Sequence, residues 1–136
     1  MEKTEKYKHF DHKADVLYEA YGKNLSEAIE NAAQAMFDVI GEGGVKEKME
    51  IREKTKSIDE LVVATLSACL TESEIGEFIP RKFEVKKLDE KNCEISGTLY
   101  GDKKGKMKMS VKAVTFHEFQ IRKEKGKVSI RVLLDI

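Results

Sequence analysis

This 136-residue chain has no tryptophan, a single proline and two cysteines, and its 25 basic side chains are matched by 25 acidic ones. With no excess positive charge there is no long-range pull on a phosphate backbone, which argues against bulk RNA or DNA binding. Cys69 and Cys93 are not spaced as a C-x-x-C pair, and each sits among apolar residues. Buried reduced thiols are expected rather than a disulfide or a metal pair, and with them a cytoplasmic location. No apolar run approaches the roughly 20 residues needed to cross a bilayer, and no basic-then-apolar leader opens the chain, so neither membrane insertion nor export is indicated. Motifs of nucleophilic catalysis are missing as well. There is no G-x-S-x-G elbow and no P-loop, and Gly41-Glu42-Gly43-Gly44 follows a helical pattern instead of opening one, the position of a helix stop rather than a phosphate cradle.

What is present is a strongly periodic pattern over a length suited to one domain, residues 1–136, with no repeat and no linker. Val16 to Tyr21 favours a strand closing at Gly22. Asn24 with Glu27 forms a capping box, in which the asparagine takes an early orphan amide and the glutamate reaches back to the cap. It opens a helix whose stripe Leu25, Ala28, Ile29, Ala32, Met36, Val39 and Ile40 stops at Gly41. Residues 45–56 alternate weakly among charges, as an edge strand does. Ser57 with Glu60 repeats the cap, and Ile58, Leu61, Val62, Leu66, Cys69 and Leu70 carry a second helix to Gly76.

From Pro80 the period becomes two. Phe83 and Val85, then Cys93, Ile95 and Leu99, flank the polar residues 89–92 as a hairpin would. After a turn over Gly101 to Gly105, the alternation of Met107, Met109, Val111 and Ala113 reads as one long bent strand through Ile121. A last strand puts Val128, Ile130, Val132, Leu134 and Ile136 on one face and Ser129, Arg131, Leu133 and Asp135 on the other. Two helices among such strands indicate an α+β fold, with both helices packed on one face of a mostly antiparallel sheet.

Three carboxylates carry the chemistry. The final strand delivers Asp135 and, one residue later, the terminal carboxylate of Ile136 to one neighbourhood, and Asp15 stands at the entrance of the first strand. If those strand ends meet, the oxygens make a site for a hard divalent cation: Ca²⁺, Mg²⁺ or Mn²⁺ rather than zinc. His12 is close enough in sequence to orient Asp15 or to face a partner, though a surface histidine near a turn reads equally well. Lys112 interrupts an apolar stretch, either facing water or meeting a phosphate or carboxylate of the site. His9 and His117 lack partners at ligand spacing and read as structural or exposed.

The strings His12-Lys13-Ala14-Asp15-Val16, Gly22 with the Ala-rich helix ending Ala35-Met36-Phe37, Val111 to His117, and the terminal Asp135-Ile136 together resemble the archease family. The resemblance spans nearly the whole chain and keeps the motif order. It implies a divalent cation held by Asp15, Asp135 and the Ile136 carboxylate. It also implies an accessory role, with no enzymatic activity of its own: promoting guanylylation and repeated turnover of an RtcB-type RNA ligase in tRNA splicing; the balanced charge adds the expectation of no direct stable nucleic-acid binding. The chain departs from the family pattern in having Lys13 for a usual threonine and Thr65-Leu66-Ser67-Ala68 for a Trp-Leu-Asn-Glu run. Two other functions fit the same residues: a chaperone-like modulator of an RNA-modifying enzyme, and a metal-dependent phosphoesterase that activates water on the acidic cluster.

Overall fold

The computed structural model describes residues 5–10 and 15–136. Among the described residues nine strands and two helices follow one another as β1 (Tyr7–Phe10), β2 (Asp15–Gly22), α1 (Leu25–Ile40), β3 (Gly41–Glu42), β4 (Glu47–Lys54), α2 (Ile58–Ile75), β5 (Ile79–Asp89), β6 (Glu94–Asp102), β7 (Lys106–Met107), β8 (Ala113–Glu124) and β9 (Lys127–Asp135). All strand pairs are antiparallel, and the strands divide into three sheets: β1-β2-β9-β8, β4-β6-β5 and the short pair β3-β7. The class is α+β. β4 lies at a sheet edge, as its charged alternation leads one to expect.

α1 begins where Asn24, in extended backbone, accepts the Glu27 N–H at 2.9 Å. The Glu27 carboxylate takes the N–H of Lys23 at 3.2 Å, one residue before the cap itself. The helix packs against both larger sheets. Tyr18 of β2 donates its buried hydroxyl to the Ala32 carbonyl at 2.8 Å, while Glu30 accepts the Val85 N–H of β5 at 2.9 Å. Residues two apart point to opposite sides of a helix, so the two bonds tie α1 to a sheet on each flank. The alanines at positions 28, 32, 33 and 35, all fully buried, allow this close approach. Gly22 is required for the same reason: a Cβ there would lie 2.3 Å from the Ala28 nitrogen.

α2 is enclosed more fully than one stripe implies. It packs on β8 and on β4, β5 and β6, and Val63, Thr65 and Ser73 are buried in addition to the apolar stripe. Its hydroxyls are satisfied within the helix, Thr65 donating to Leu61 O at 2.7 Å and Ser73 to Leu70 O at 2.8 Å, which lets polar residues sit in an enclosed element. One continuous core runs from Tyr18, Met36 and Phe37 through Leu61 and Leu66 to Leu99, Ile130 and Leu134.

α1 has no basic residue in its last turn, and a side chain from another element supplies the charge. Arg81 of β5 donates to the carbonyls of Phe37 at 3.1 Å and Gly41 at 2.6 Å, and to Asp38 at 3.1 Å. Asp38 also accepts from Tyr7 at 2.6 Å and Gln34 at 2.9 Å. Burial by itself would raise the Asp38 pKa, but the bonds from Tyr7, Gln34 and Arg81 outweigh it and hold the carboxyl below its ordinary range. The same bond to Asp38, helped by burial, pushes the Tyr7 phenol up to about 12.

Two expectations fail. Cys93 is not on the inward face of a strand but in the β5–β6 turn, with φ of 52°, and of the two cysteines only Cys69 is buried. The polar run before it spends its hydrogen-bonding capacity on the turn, where Asp89 accepts from both nitrogens of Asn92 at 3.1 and 2.8 Å, and the turn therefore extends one residue further. The long strand from Met107 to Ile121 is also broken. β7 ends at Met107 because the Ile40 carbonyl captures the N–H groups of both Lys108 and Met109, at 2.7 and 3.2 Å, and regular pairing resumes only at Ala113. β8 then bulges, with residues 116–119 placed against Val132 alone.

Candidate functional site

The alternation of β9 puts its even-numbered residues into the core and its odd-numbered ones on the opposite face of the sheet. β2 pairs with β9 so that Leu17 faces Leu133, Glu19 faces Arg131, and Asp15 faces Asp135. Directly opposite residues of an antiparallel pair have Cβ atoms roughly 4.5–5.5 Å apart. The two carboxylates from opposite ends of the chain are therefore immediate neighbours. Asp15 is half-buried and Asp135 exposed.

The rows of this face explain why the place is open yet well fixed. Asp135 also pairs with Ala113 of β8, whose methyl group leaves room beside the carboxylates. One row further in, Phe10, Leu17, Leu133 and Thr115 form a largely apolar strip, in which Leu17 and Leu133 are buried. Beyond it Arg131 donates twice to Glu19, at 3.0 and 2.7 Å, with its guanidinium 5.5 Å from the Phe10 ring centre.

The tail that carries Asp135 is tied down on both sides. Its carbonyl accepts the Lys112 N–H at 2.8 Å, and the Ile136 side chain packs against the core. Terminal residues usually fray, but a strand end with a paired backbone and a seated apolar side chain does not have that freedom. Lys112 is exposed and precedes β8 directly, so its backbone, at least, belongs to this neighbourhood. His12 lies outside the described residues. His9 is exposed on β1 beside Tyr7 and Tyr18, and His117 is exposed in the β8 bulge.

Chemically, this end of the sheet presents two hard oxygen side chains of like charge on adjacent strands. Like charges directly opposite each other oppose strand pairing, and a shared cation would reverse that term. Among the described residues there is no group of three or more His, Cys, Asp or Glu side chains that could hold a metal. The carboxylate of Ile136, which the sequence pattern also named, lies one residue beyond Asp135 on the same strand end. Sequence periodicity missed Ala113 as the small neighbour that leaves the site open, because nothing local to residues 111–117 reveals which strand they will pair with.

Comparison with known proteins gives a consistent result along the whole chain. The model of the archease protein family (MTH1598/TM1083) matches residues 7–136. The chain is 35% identical to the protein archease of Sulfurisphaera tokodaii, with 97% of this chain and 99% of that one covered. It is 36% identical to the protein archease of Methanothermobacter thermautotrophicus, with 96% and 98% covered. The solution structure of Methanobacterium thermoautotrophicum protein 1598 superposes with a TM-score of 0.81 at 31% identity, covering 96% of this chain and 99% of that one. The crystal structure of a Thermotoga maritima archease, described as a possible chaperone, gives a TM-score of 0.70 over 100% and 98% of the two chains; at 18% identity this is a likeness of fold.

Proposed function

Since the chain belongs to the archease family, we propose that it is a metal-binding accessory protein that activates an RtcB-type RNA ligase in tRNA splicing. In this reading it promotes guanylylation of the ligase and multiple turnover, and catalyses nothing itself. The observation that carries the reading is the register of β2 on β9, which sets Asp15 against Asp135 at one open sheet end.

Asp15, Asp135 and the carboxylate of Ile136 are the groups that would hold the ion. Charged oxygen donors fit Ca²⁺, Mg²⁺ or Mn²⁺ and suit softer metals poorly. Such an ion supplies charge for nucleotide phosphates and offsets the charge that develops in phosphoryl transfer. The protein's own part is to keep the donors together. The strand register sets the two aspartates, the Lys112 N–H bond fixes the Asp135 backbone, and the buried part of Ile136 anchors the tail. Lys112 and His12 are the residues we assign to contact with the ligase or its nucleotide.

The test is guanylylation of purified RtcB-type ligase by this protein and by its Asp15→Ala and Asp135→Ala variants. Stimulation should fall at least tenfold in each. Undiminished activation by both variants, with both folded, would refute the role of the carboxylate pair.

A further inference from the structure

Away from the carboxylate face, a groove of 320 Å³ opens between the C-terminal turns of α2 and the segment 103–111. Its floor is apolar, formed by Ile40, Leu70, Phe78, Ile79, Pro80 and Val111. Ser73, the buried hydroxyl of the lining, is already committed to the Leu70 carbonyl, and Ser110 stands exposed at the rim. The floor itself is therefore apolar and suits aliphatic side chains.

The two walls differ in sign. On one side the run 103–112 holds five lysines and no acid, and Lys103, Met107 and Met109 line the groove from it. Met107 is 58% and Met109 40% exposed, a large apolar surface for a monomer to leave in water. Both methionines are exposed because the Ile40 carbonyl turns the chain out of the sheet at Lys108. Among the described residues Lys108 forms an ion pair, to Glu42 at 3.4 Å, whereas Lys103, Lys104 and Lys106 form none. The opposite wall carries two exposed acids, Glu74 on the α2 face of Leu70 and Glu77 just past the helix end.

We propose that this groove docks an amphipathic helix of a partner protein, with its apolar stripe on the methionines and the floor. Carboxylates flank that stripe toward Lys103, Lys104 and Lys106, and basic side chains flank it toward Glu74 and Glu77. Opposite charge on the two walls fixes the direction in which such a helix lies, and flexible methionines adapt to its side chains. RNA fits less well, because Glu74 and Glu77 repel phosphates and the aromatic ring that lines the groove, Phe78, is buried in its floor rather than presented as a stacking platform. The surface is separate from the carboxylate pair, but it adjoins it: Val111 of the floor precedes Lys112, which bonds to Asp135. A helix in the groove would bring its protein to the acidic end of the sheet.

The experiment uses the full chain and a fluorescent helical peptide with leucines on one stripe, glutamates on one flank and arginines on the other. Its controls are the same peptide with glutamine on both flanks and an oligouridine of similar length. The peptide should bind with a dissociation constant on the order of 10–100 μM. Met109→Asp should weaken it at least tenfold with an unchanged melting temperature, since Met109 is on the surface. The combined K103Q, K104Q, K106Q, E74Q and E77Q protein should lose the preference for the charged peptide over the glutamine-flanked one. Failure of the peptide to bind the parent protein, or equal binding to the Met109→Asp variant, overturns the proposal. Oligouridine binding that depends on the lysines but not on Met109 would assign the patch to nucleic acid instead. Self-association that Met109→Asp abolishes and the peptide cannot displace would assign it to a second copy. Activation of an RtcB-type ligase plays no part in this readout, so the two proposals stand or fall separately.

Discussion

Replacing Arg81 with methionine tests how the fold is closed at the end of α1. The substitution keeps most of the aliphatic volume and removes the guanidinium, whose side chain is only 16% exposed. Two bonds to main-chain carbonyls are lost, to Phe37 and Gly41, together with the contact to Asp38. Hydrogen bonds made by a charged group are worth about 1.5–3 kcal/mol each, and the bond to the 34%-exposed Asp38 is discounted for solvent screening. Part of the loss is recovered, because Arg81 Nε is buried without a hydrogen-bond partner and its removal relieves that cost. The net cost at neutral pH should be about 3 kcal/mol. An unfolding entropy of roughly 2.1 cal/mol/K per residue over 136 residues makes this a drop of about 10 °C in the melting temperature, measurable by calorimetry alongside urea denaturation. The pH dependence gives an independent check. Asp38 has a depressed pKa in the folded state, so its contribution is present above the ordinary value of 3.8 and is lost as the pH falls through the lower, folded value. The gap between parent and Arg81→Met should therefore narrow in acid. A cost under about 1 kcal/mol at neutral pH, or a gap that widens in acid, would show that Arg81 does not close α1.

Two further outcomes follow from the packing. Gly22→Ala should destabilise by about 2–3 kcal/mol in urea unfolding, since its new carbon would meet the Ala28 backbone, which cannot shift without moving α1. A neutral result would mean that β2 and α1 are less tightly apposed. In native protein a thiol reagent should modify Cys93 quickly and Cys69 only on unfolding. Burial, reinforced by Glu53, pushes the Cys69 thiol far above its ordinary pKa, whereas Cys93 is partly exposed in a turn. Two fast-reacting thiols would contradict this assignment.

Much of this protein is legible in short windows of sequence. Both helices start at the caps marked by Asn24 and Ser57, and both stop at the glycines that end their apolar periods. The strict alternation of residues 128–136 is enough to separate Asp135 from the core-facing row. These features are local: a cap needs three residues and a face needs a period, and the chain carries both within a few turns. The errors came where a local pattern competed with a distant group. Met107 to Ala113 alternates like a strand, but the Ile40 carbonyl takes two of its amides, and Cys93 falls in step with Ile95 and Leu99 yet belongs to a turn.

What the tertiary structure decided is which distant pieces meet. Arg81 completes a helix that lacks its own C-terminal cation, and Glu30 receives an amide from β5, pairings that no spacing encodes. The same holds for Asp15 and Asp135. Sequence alone identified each as an acid at a strand end, but whether they face one another depended on β2 choosing β9 as its neighbour, in one register among several. That choice is made by burial of Tyr18, Ala20, Ile130, Val132 and Leu134 together beneath the helices, because a slip of one residue would turn all of them to solvent. The core sets the register, and the register brings the carboxylates together.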